Sequence, residues 1–295
     1  MSKLRVPIER SRGFPADFEE RHRATRTPLV VSLDNWPQST VDPKTLKARF
    51  ADVQTHATVQ LSETGVVYLQ ADSAHRRAMR VGDFVDLMDS GATCYIDQAN
   101  IEVFPGLADS MPLQSLLPSG RRVVNVWIGS RTRSGLHYDP MDNYLLQLYG
   151  EKQAILAAPS DRKGLYPFAD NVSKSRIDPE IPDVEAFPLV KDVTFFTATL
   201  NAGELLYIPR GWWHFLRAPA QSITVNIWHD PALSVEDELE ALRAVGVAGW
   251  MKIARDFVWH GALRRPYLRR LYSPPPTGKQ LYDLAVNRIL GTLRS

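Results

Sequence analysis

A chain of 295 residues with 44% hydrophobic, 9% aromatic and 23% charged residues has the composition of an ordinary globular protein, which excludes disordered, collagenous and coiled-coil classes. Its 35 basic and 33 acidic side chains leave a formal charge of +2, so no global field draws it to nucleic acid or to a membrane surface. Cys94 is the single cysteine, which excludes an intramolecular disulfide and leaves histidines and carboxylates as the ligands for any metal.

In chain order, residues 1–57 mix short helical patterns with one predicted strand, PLVVSL (28–33), and read as a helical and β preface packed on a sheet. The N-terminus lacks an apolar signal stretch, and no run reaches the roughly 18 apolar residues of a membrane span, so the expectation is a soluble, cytoplasmic protein without a membrane partner. From 58 to 231 short β-rich runs recur: TVQLS, GVVYLQA, TCYIDQ, RVVNVWIG, YLLQLYG, QAILAAP, VTFFTATL, GELLYIP and SITVNIWH. Turn residues separate most of them, which predicts an antiparallel sandwich or barrel. VGDFVDLMDSG (81–91) and SDRKGLYPF (160–168) read as helical or irregular inserts, and Pro179, Pro182 and Pro188 mark a long loop. After Pro231 the pattern turns helical, with Ser234 as N-cap. A last helix is predicted over 278–293, with Leu281, Leu284, Ala285 and Ile289 on one face. The region 232–295 is therefore expected to form a lid or a self-association surface.

The chemistry-bearing residues begin at His137-Tyr138-Asp139, followed far along the chain by His214. In an extended segment residues i and i+2 share a face, so His137 and Asp139 project together, and a later strand can bring His214 opposite. Two histidines and one carboxylate leave open positions on non-haem Fe(II). Seven histidines in one chain make a chance His-x-Asp easy to find, so the surroundings matter. These are a Gly-rich approach, IGSRTRSGLHYDP, and a strand, turn and aromatic platform, GELLYIPRGWWH.

The segments YIDQ (95–98), NVWIGSRTRSGLHYDPMDNYLLQLYGEKQAILAAPSD (125–161), AGELLYIPRGWWHF (202–215) and TVNIW (224–228) together resemble the JmjC, or cupin-8, hydroxylases. Among these are the asparaginyl hydroxylase that inhibits the hypoxia-inducible factor, small JmjC-only protein hydroxylases and the tRNA wybutosine hydroxylase. The resemblance implies a mainly β fold with helices, a double-stranded β-helix (jelly-roll or cupin core) over 58–231, and Fe(II), 2-oxoglutarate and O₂ as metal, co-substrate and oxidant. It implies that His137, Asp139 and His214 bind iron and form the catalytic centre. Lys152 then pairs with the distal carboxylate of 2-oxoglutarate, helped by Tyr95 and Ser134, while Asn143 and Asn226 lie near the metal-binding end. Without register with the motif, Lys152 reads as a surface turn residue, and the other four can also be read as satisfied structural polar groups.

Trp228 matches an aromatic residue at the pocket mouth, and Asp97 replaces a glutamine that contacts substrate in the asparaginyl hydroxylase, favouring a cationic or hydroxyl-bearing target. Trp212 and Trp213 read as core, and Arg131 and Arg133 as solvated loop cations or an entrance for acidic substrate. The resemblance implies hydroxylation of a protein or peptide side chain, with tRNA or a small metabolite as other substrates and demethylase or non-catalytic cupin as other functions. A chain of this length without room for reader modules favours hydroxylation over demethylation. Arg255, Arg264, Arg265, Arg269 and Arg270 with Tyr267 and Tyr272 are either an RNA-contacting surface or a solvated helix face. The resemblance further implies a homodimer through the C-terminal helices, with Leu239, Leu242, Val245 and Trp250 as its apolar face.

Overall fold

Alternation of side chains along the β-rich runs builds two sheets that face one another. The computed structural model describes residues 5–33, 41–111, 122–229, 243, 246–267, 269 and 275–292. The strands are β1 Arg5–Pro7, β2 Arg10–Arg12, β3 Leu29–Ser32, β4 Gln54–Val59, β5 Arg76–Arg80, β6 Cys94–Asn100, β7 Arg122–Ser130, β8 Asp142–Tyr149, β9 Lys152–Ala157, β10 Phe195–Leu200, β11 Glu204–Ile208, β12 Trp213–Arg217 and β13 Gln221–His229. Helices are α1 Pro43–Phe50, α2 Asp72–His75, α3 Val81–Asp89, α4 Gly246–Asp256 and α5 Thr277–Thr292. The larger sheet runs β2-β3-β11-β8-β13-β7-β6-β4-β5 and the smaller β1-β10-β9-β12, giving a mainly β, cupin-type core.

The period of two assigns each face. Along β7, β8 and β13, the side chains of Val126, Ile128, Leu146, Leu148, Val225 and Ile227 face outward and are buried with Leu46, Phe50, Phe84 and Met88 of α1 and α3. Helix α1 starts where the Asp42 carboxylate accepts the Thr45 N–H at 2.7 Å and Pro43 presets the first turn. On the smaller sheet Ile155, Ala157, Phe195, Trp213 and Phe215 pack outward with Leu165 and Val190. Truncating a buried aromatic such as Trp213 to alanine costs about 3–5 kcal/mol.

Between the sheets, Ile8, Val30, Leu145, Ala154, Leu156, Leu206 and Ile208 form an apolar plug. The rest of the interior is polar: Tyr95, Asp97, Asn143, Lys152, His214, Thr224 and Asn226 line a cavity. Polar residues at inward positions of a sandwich break the pattern that builds the core, and such breaks mark functional sites.

The structure departs from the sequence reading in several places. GVVYLQA is no strand: Gly65 turns the chain at φ 83°, and Val67–Leu69 forms a 3-10 turn that buries Val67 and Tyr68. β4 stops at Val59, because Gln60 takes a left-handed φ of 57°. The preface contributes strands to both sheets, with β1 parallel to β10 and β2 parallel to β3. Pro231 and the expected Ser234 cap lie outside the described residues. α4 runs into a π-helical turn, Phe257–Ala262, and α5 falls close to the predicted last helix. Leu281 packs on Val172 and Ile253, whereas Leu284 and Ala285 are exposed and the Ile289 side chain lies outside the described set.

Candidate functional site

His137 and His214 face one another across an isolated antiparallel bridge on the free edge of β12: His137 N–H donates to the His214 carbonyl at 3.1 Å and His214 N–H to the His137 carbonyl at 2.6 Å. Their rings lie 4.2 Å apart, and Asp139 Oδ2 is 3.6 Å from His214 Nε2. One ligand atom from each of the three residues falls within 4.8 Å of the others. The segment carrying His137 and Asp139 is extended but outside the named strands, so the shared face expected of a strand is reached by a single bridge rather than a ladder.

Backbone carbonyls fix the tautomers. His137 Nδ1 lies 2.8 Å from the Gly135 carbonyl and His214 Nδ1 lies 3.0 Å from the Trp212 carbonyl. A carbonyl only accepts, so each Nδ1 carries the proton and each Nε2 keeps its lone pair for a metal. Burial holds both imidazoles below the ordinary histidine pKa, in the neutral form that ligates. Gly135 is needed for close approach: a Cβ there would sit 2.2 Å from the Tyr68 ring, whose hydroxyl donates to the Gly135 carbonyl at 3.0 Å.

Lys152 opens β9 directly after the turn at Gly150, where φ is 71° and a Cβ would sit 2.1 Å from the Gln221 carbonyl oxygen. That turn brings the lysine inward, where it is 2% exposed. Burial lowers its pKa to about 7, and among the described residues no carboxylate pairs with it. Its ammonium lies 5.8 Å from the centre of the Tyr95 ring. Ser134 Oγ accepts the Leu216 N–H at 2.9 Å, which leaves its own proton to donate. Trp127 Nε1–H donates to Asn226 Oδ1 at 2.7 Å, and Asn226 Nδ2–H donates to Asn143 Oδ1 at 3.2 Å, so the two asparagines are held as one unit.

All ten residues singled out from the sequence line one cavity of about 640 Å³: Tyr95, Asp97, Ser134, His137, Asp139, Asn143, Lys152, His214, Asn226 and Trp228. Asp97 accepts the Thr58 hydroxyl at 3.2 Å and lies 3.8 Å from Arg76, so its charge is answered by the protein. Trp212 and Trp213 are buried in apolar clusters, as expected of core residues.

Arg133 is a correction: it is 3% exposed, outside the cavity, and fixed by Asp178 at 2.9 Å and Glu180 at 3.2 Å. Breaking such a buried pair costs about 3–5 kcal/mol. Arg131 is an exposed cation 3.4 Å from Glu63, as a solvated loop residue would be. The C-terminal cations divide: Arg255 binds Asp256, Arg265 stacks on Trp259, and Arg269 with Tyr267 lines the cavity. Arg270 and Tyr272 lie outside the described residues. Sequence reasoning missed Tyr68, Trp127, Lys174 and Thr224 as lining residues. Period-two extension from Asn226 points to Thr224, and Trp127 is the β7 partner opposite Thr224, whereas Lys174 sits in an irregular loop with no motif around it.

A metal-ready triad at the polar end of a double-stranded β-helix defines a cupin. Residues 15–234 match the cupin-like domain family, Cupin_8, and the chain belongs to it. It is 42% identical over 108 residues to Jumonji C domain-containing protein 5 of Drosophila melanogaster, covering 36% of this chain and 27% of that one. Lysine-specific demethylase 8 of Xenopus tropicalis is 28% identical over 225 residues, 72% of this chain and 50% of that one. The human bifunctional peptidase and (3S)-lysyl hydroxylase JMJD7 is 27% identical over 153 residues, 44% and 48% of the two chains. The chain thus spans half or less of these relatives' own length. No described helix is long and apolar enough to cross a membrane.

Proposed function

We propose that the chain is an Fe(II)- and 2-oxoglutarate-dependent oxygenase that hydroxylates a side chain of a protein or peptide. The observation that carries this reading is Lys152, a buried cation without a carboxylate partner among the described residues, in the same cavity as an open two-histidine, one-carboxylate set. A buried ammonium left unpaired calls for an anion, and a dicarboxylate held in the same cavity as the triad would supply one.

When bound, the metal and 2-oxoglutarate supply oxidative decarboxylation coupled to insertion of oxygen into a C–H bond. His137, Asp139 and His214 would hold the metal, a two-histidine, one-carboxylate set that suits Fe(II). Lys152 and the Ser134 hydroxyl fix the distal carboxylate, with the Tyr95 ring beside the ammonium. Asn143 and Asn226, locked to Trp127, orient the metal-proximal end. Asp97 and Trp228 flank the approach of substrate.

The names of the relatives include both a demethylase and a hydroxylase. Hydroxylation is favoured by Lys174, a second buried ammonium lining the cavity, because it repels the cationic methylammonium of a methyl-lysine substrate. We also propose a homodimer through the C-terminal helices. Val247, Trp250, Met251, Val258, Trp259 and Leu263 are exposed apolar residues on α4 and the turn that follows, and so large an apolar surface favours association. Leu239, Leu242 and Val245 lie outside the described residues.

The test is succinate formation from 2-oxoglutarate by the purified chain with Fe(II), O₂ and a panel of protein extracts, assayed with Asp139→Ala as control. Turnover stimulated by a protein fraction and abolished by the substitution is expected. Turnover that Asp139→Ala leaves intact, or formaldehyde released in step with succinate, would overturn the hydroxylase reading.

A further inference from the structure

Three backbone segments run side by side at the metal end of the cavity. Tyr138 N–H donates to the Ser173 carbonyl at 3.1 Å and Ser175 N–H to the Leu136 carbonyl at 2.9 Å, which sets Lys174 opposite His137. His137 is in turn opposite His214. Cross-strand partners project on one face, so Lys174, His137 and His214 form a single row, and all three line the cavity.

Lys174 is 8% exposed, and its ammonium lies 5.2 Å from the centre of the Tyr68 ring. Its loop is held from both sides. Lys174 N–H donates to the Asn171 carbonyl at 2.9 Å, Val172 N–H to Thr277 Oγ1 at 3.4 Å, and Val172 packs on Ile253 of α4 and Leu281 of α5. The C-terminal helices therefore brace the loop that carries Lys174 beside the ligand set. Among the described residues no carboxylate lies within ion-pair distance of it; Asp139 acts on it only at longer range.

Charge balance makes this lysine conspicuous. With the proposed metal and co-substrate bound, dication and dianion would offset one another, and the single charge of Asp139 can answer only one of the two buried ammoniums, Lys152 and Lys174. At the rim Arg76 and Asp97 form their own pair at 3.8 Å. Arg269 at the rim is exposed to solvent, so one buried positive charge is left over beside the ligand row, where Lys174 has Asp139 only at longer range.

We infer that Lys174 is a specificity-determining residue for the primary substrate, and that the substrate presents a single carboxylate, an aspartate or glutamate side chain of a peptide, beside the metal row. The inference rests on the oxygenase reading above. A phosphate carries about −1.5 to −2 charges at neutral pH and would leave the balance negative, so the carboxylate fits better.

The test uses the full chain loaded anaerobically with Mn(II) and 2-oxoglutarate, and reads the paramagnetic broadening of small probes by NMR. The probes are the N-acetyl N-methylamides of aspartate, glutamate, asparagine, phosphoserine and lysine. Aspartate or glutamate should bind about tenfold more tightly than asparagine, as expected for a charge-assisted contact. Lys174→Met should erase that preference while 2-oxoglutarate binding stays within about threefold of the parent. Lys174→Glu should turn the preference toward the lysine probe, a gain that a misfolded protein cannot show. Equal binding of aspartate, glutamate and asparagine, a preference that survives Lys174→Met, tightest binding by phosphoserine, or loss of 2-oxoglutarate in Lys174→Met would each overturn the inference. Failure of the parent chain to bind Mn(II) and 2-oxoglutarate, read before any probe is added, would instead overturn the oxygenase reading beneath it.

Discussion

Replacing Lys152 by methionine should make the empty protein more stable and the co-substrate weaker. The ordinary lysine pKa of 10.5 is lowered to about 7 by burial. Between those two values the unfolded chain holds a proton that the folded chain does not, so stability rises with pH across that window. The penalty is fully present below pH 7, stands at about 4 kcal/mol at pH 7, and fades as pH approaches 10.5. Methionine keeps the length of the stem and removes the charge. The empty variant should melt roughly 5–10 °C above the parent at pH 7, and the gap should close by pH 10. The same substitution removes the partner of a buried carboxylate, a loss of about 3–5 kcal/mol, or about 10²–10⁴-fold in 2-oxoglutarate affinity. In the parent chain, binding an acid to the ammonium form takes up a proton, so affinity should fall as pH rises above 7. Calorimetric unfolding at pH 7 and pH 10, paired with anaerobic 2-oxoglutarate titrations, reads all of these. A variant less stable than the parent at both pH values, or one that binds 2-oxoglutarate within tenfold of it, would refute the reasoning.

Other substitutions reach different parts of the structure. Gly135→Ala places a Cβ 2.2 Å from the Tyr68 ring, so the ring or the metal segment must move. Overpacking of that kind costs about 1–3 kcal/mol, and the variant should melt lower and bind Mn(II) more weakly; parent-like Mn(II) affinity would contradict the packing described. Trp250→Glu with Met251→Glu places charge on the exposed apolar face of α4 and should give a folded monomer by light scattering. An unchanged mass in solution would remove that face as the dimer contact.

Much of the site was legible because its residues sit at fixed points of a repeating pattern. The inward positions of β6, β8, β9 and β13 carry Tyr95, Asn143, Lys152 and Asn226, and period two predicts their shared face once the strands are placed. The spacing of His137 and Asp139 was weak by itself; the Gly-rich approach before it, and the strand and turn before His214, made the pair legible. Tyr68 was obscured because GVVYLQA has the composition of a strand, while the φ of Gly65 and the hydrogen bond to Gly135 bend it into a turn. Lys174 was invisible for another reason: the groups that fix its loop, His137 across a bridge and Ile253 and Leu281 packed on Val172, are distant in sequence, and the loop has no periodicity. Arg133 looked like a surface cation because Asp178 and Glu180, which bury it, lie in the long loop that pattern reasoning leaves undefined.

The central claim is that the triad and Lys152 form one site in which metal and co-substrate meet. Anaerobic titration of 2-oxoglutarate with and without Fe(II), on the parent chain and on Asp139→Ala, tests it most directly. Fe(II) should tighten 2-oxoglutarate binding at least about tenfold in the parent chain, and Asp139→Ala should abolish that coupling. Affinity independent of Fe(II), or coupling that persists in Asp139→Ala, would contradict the account.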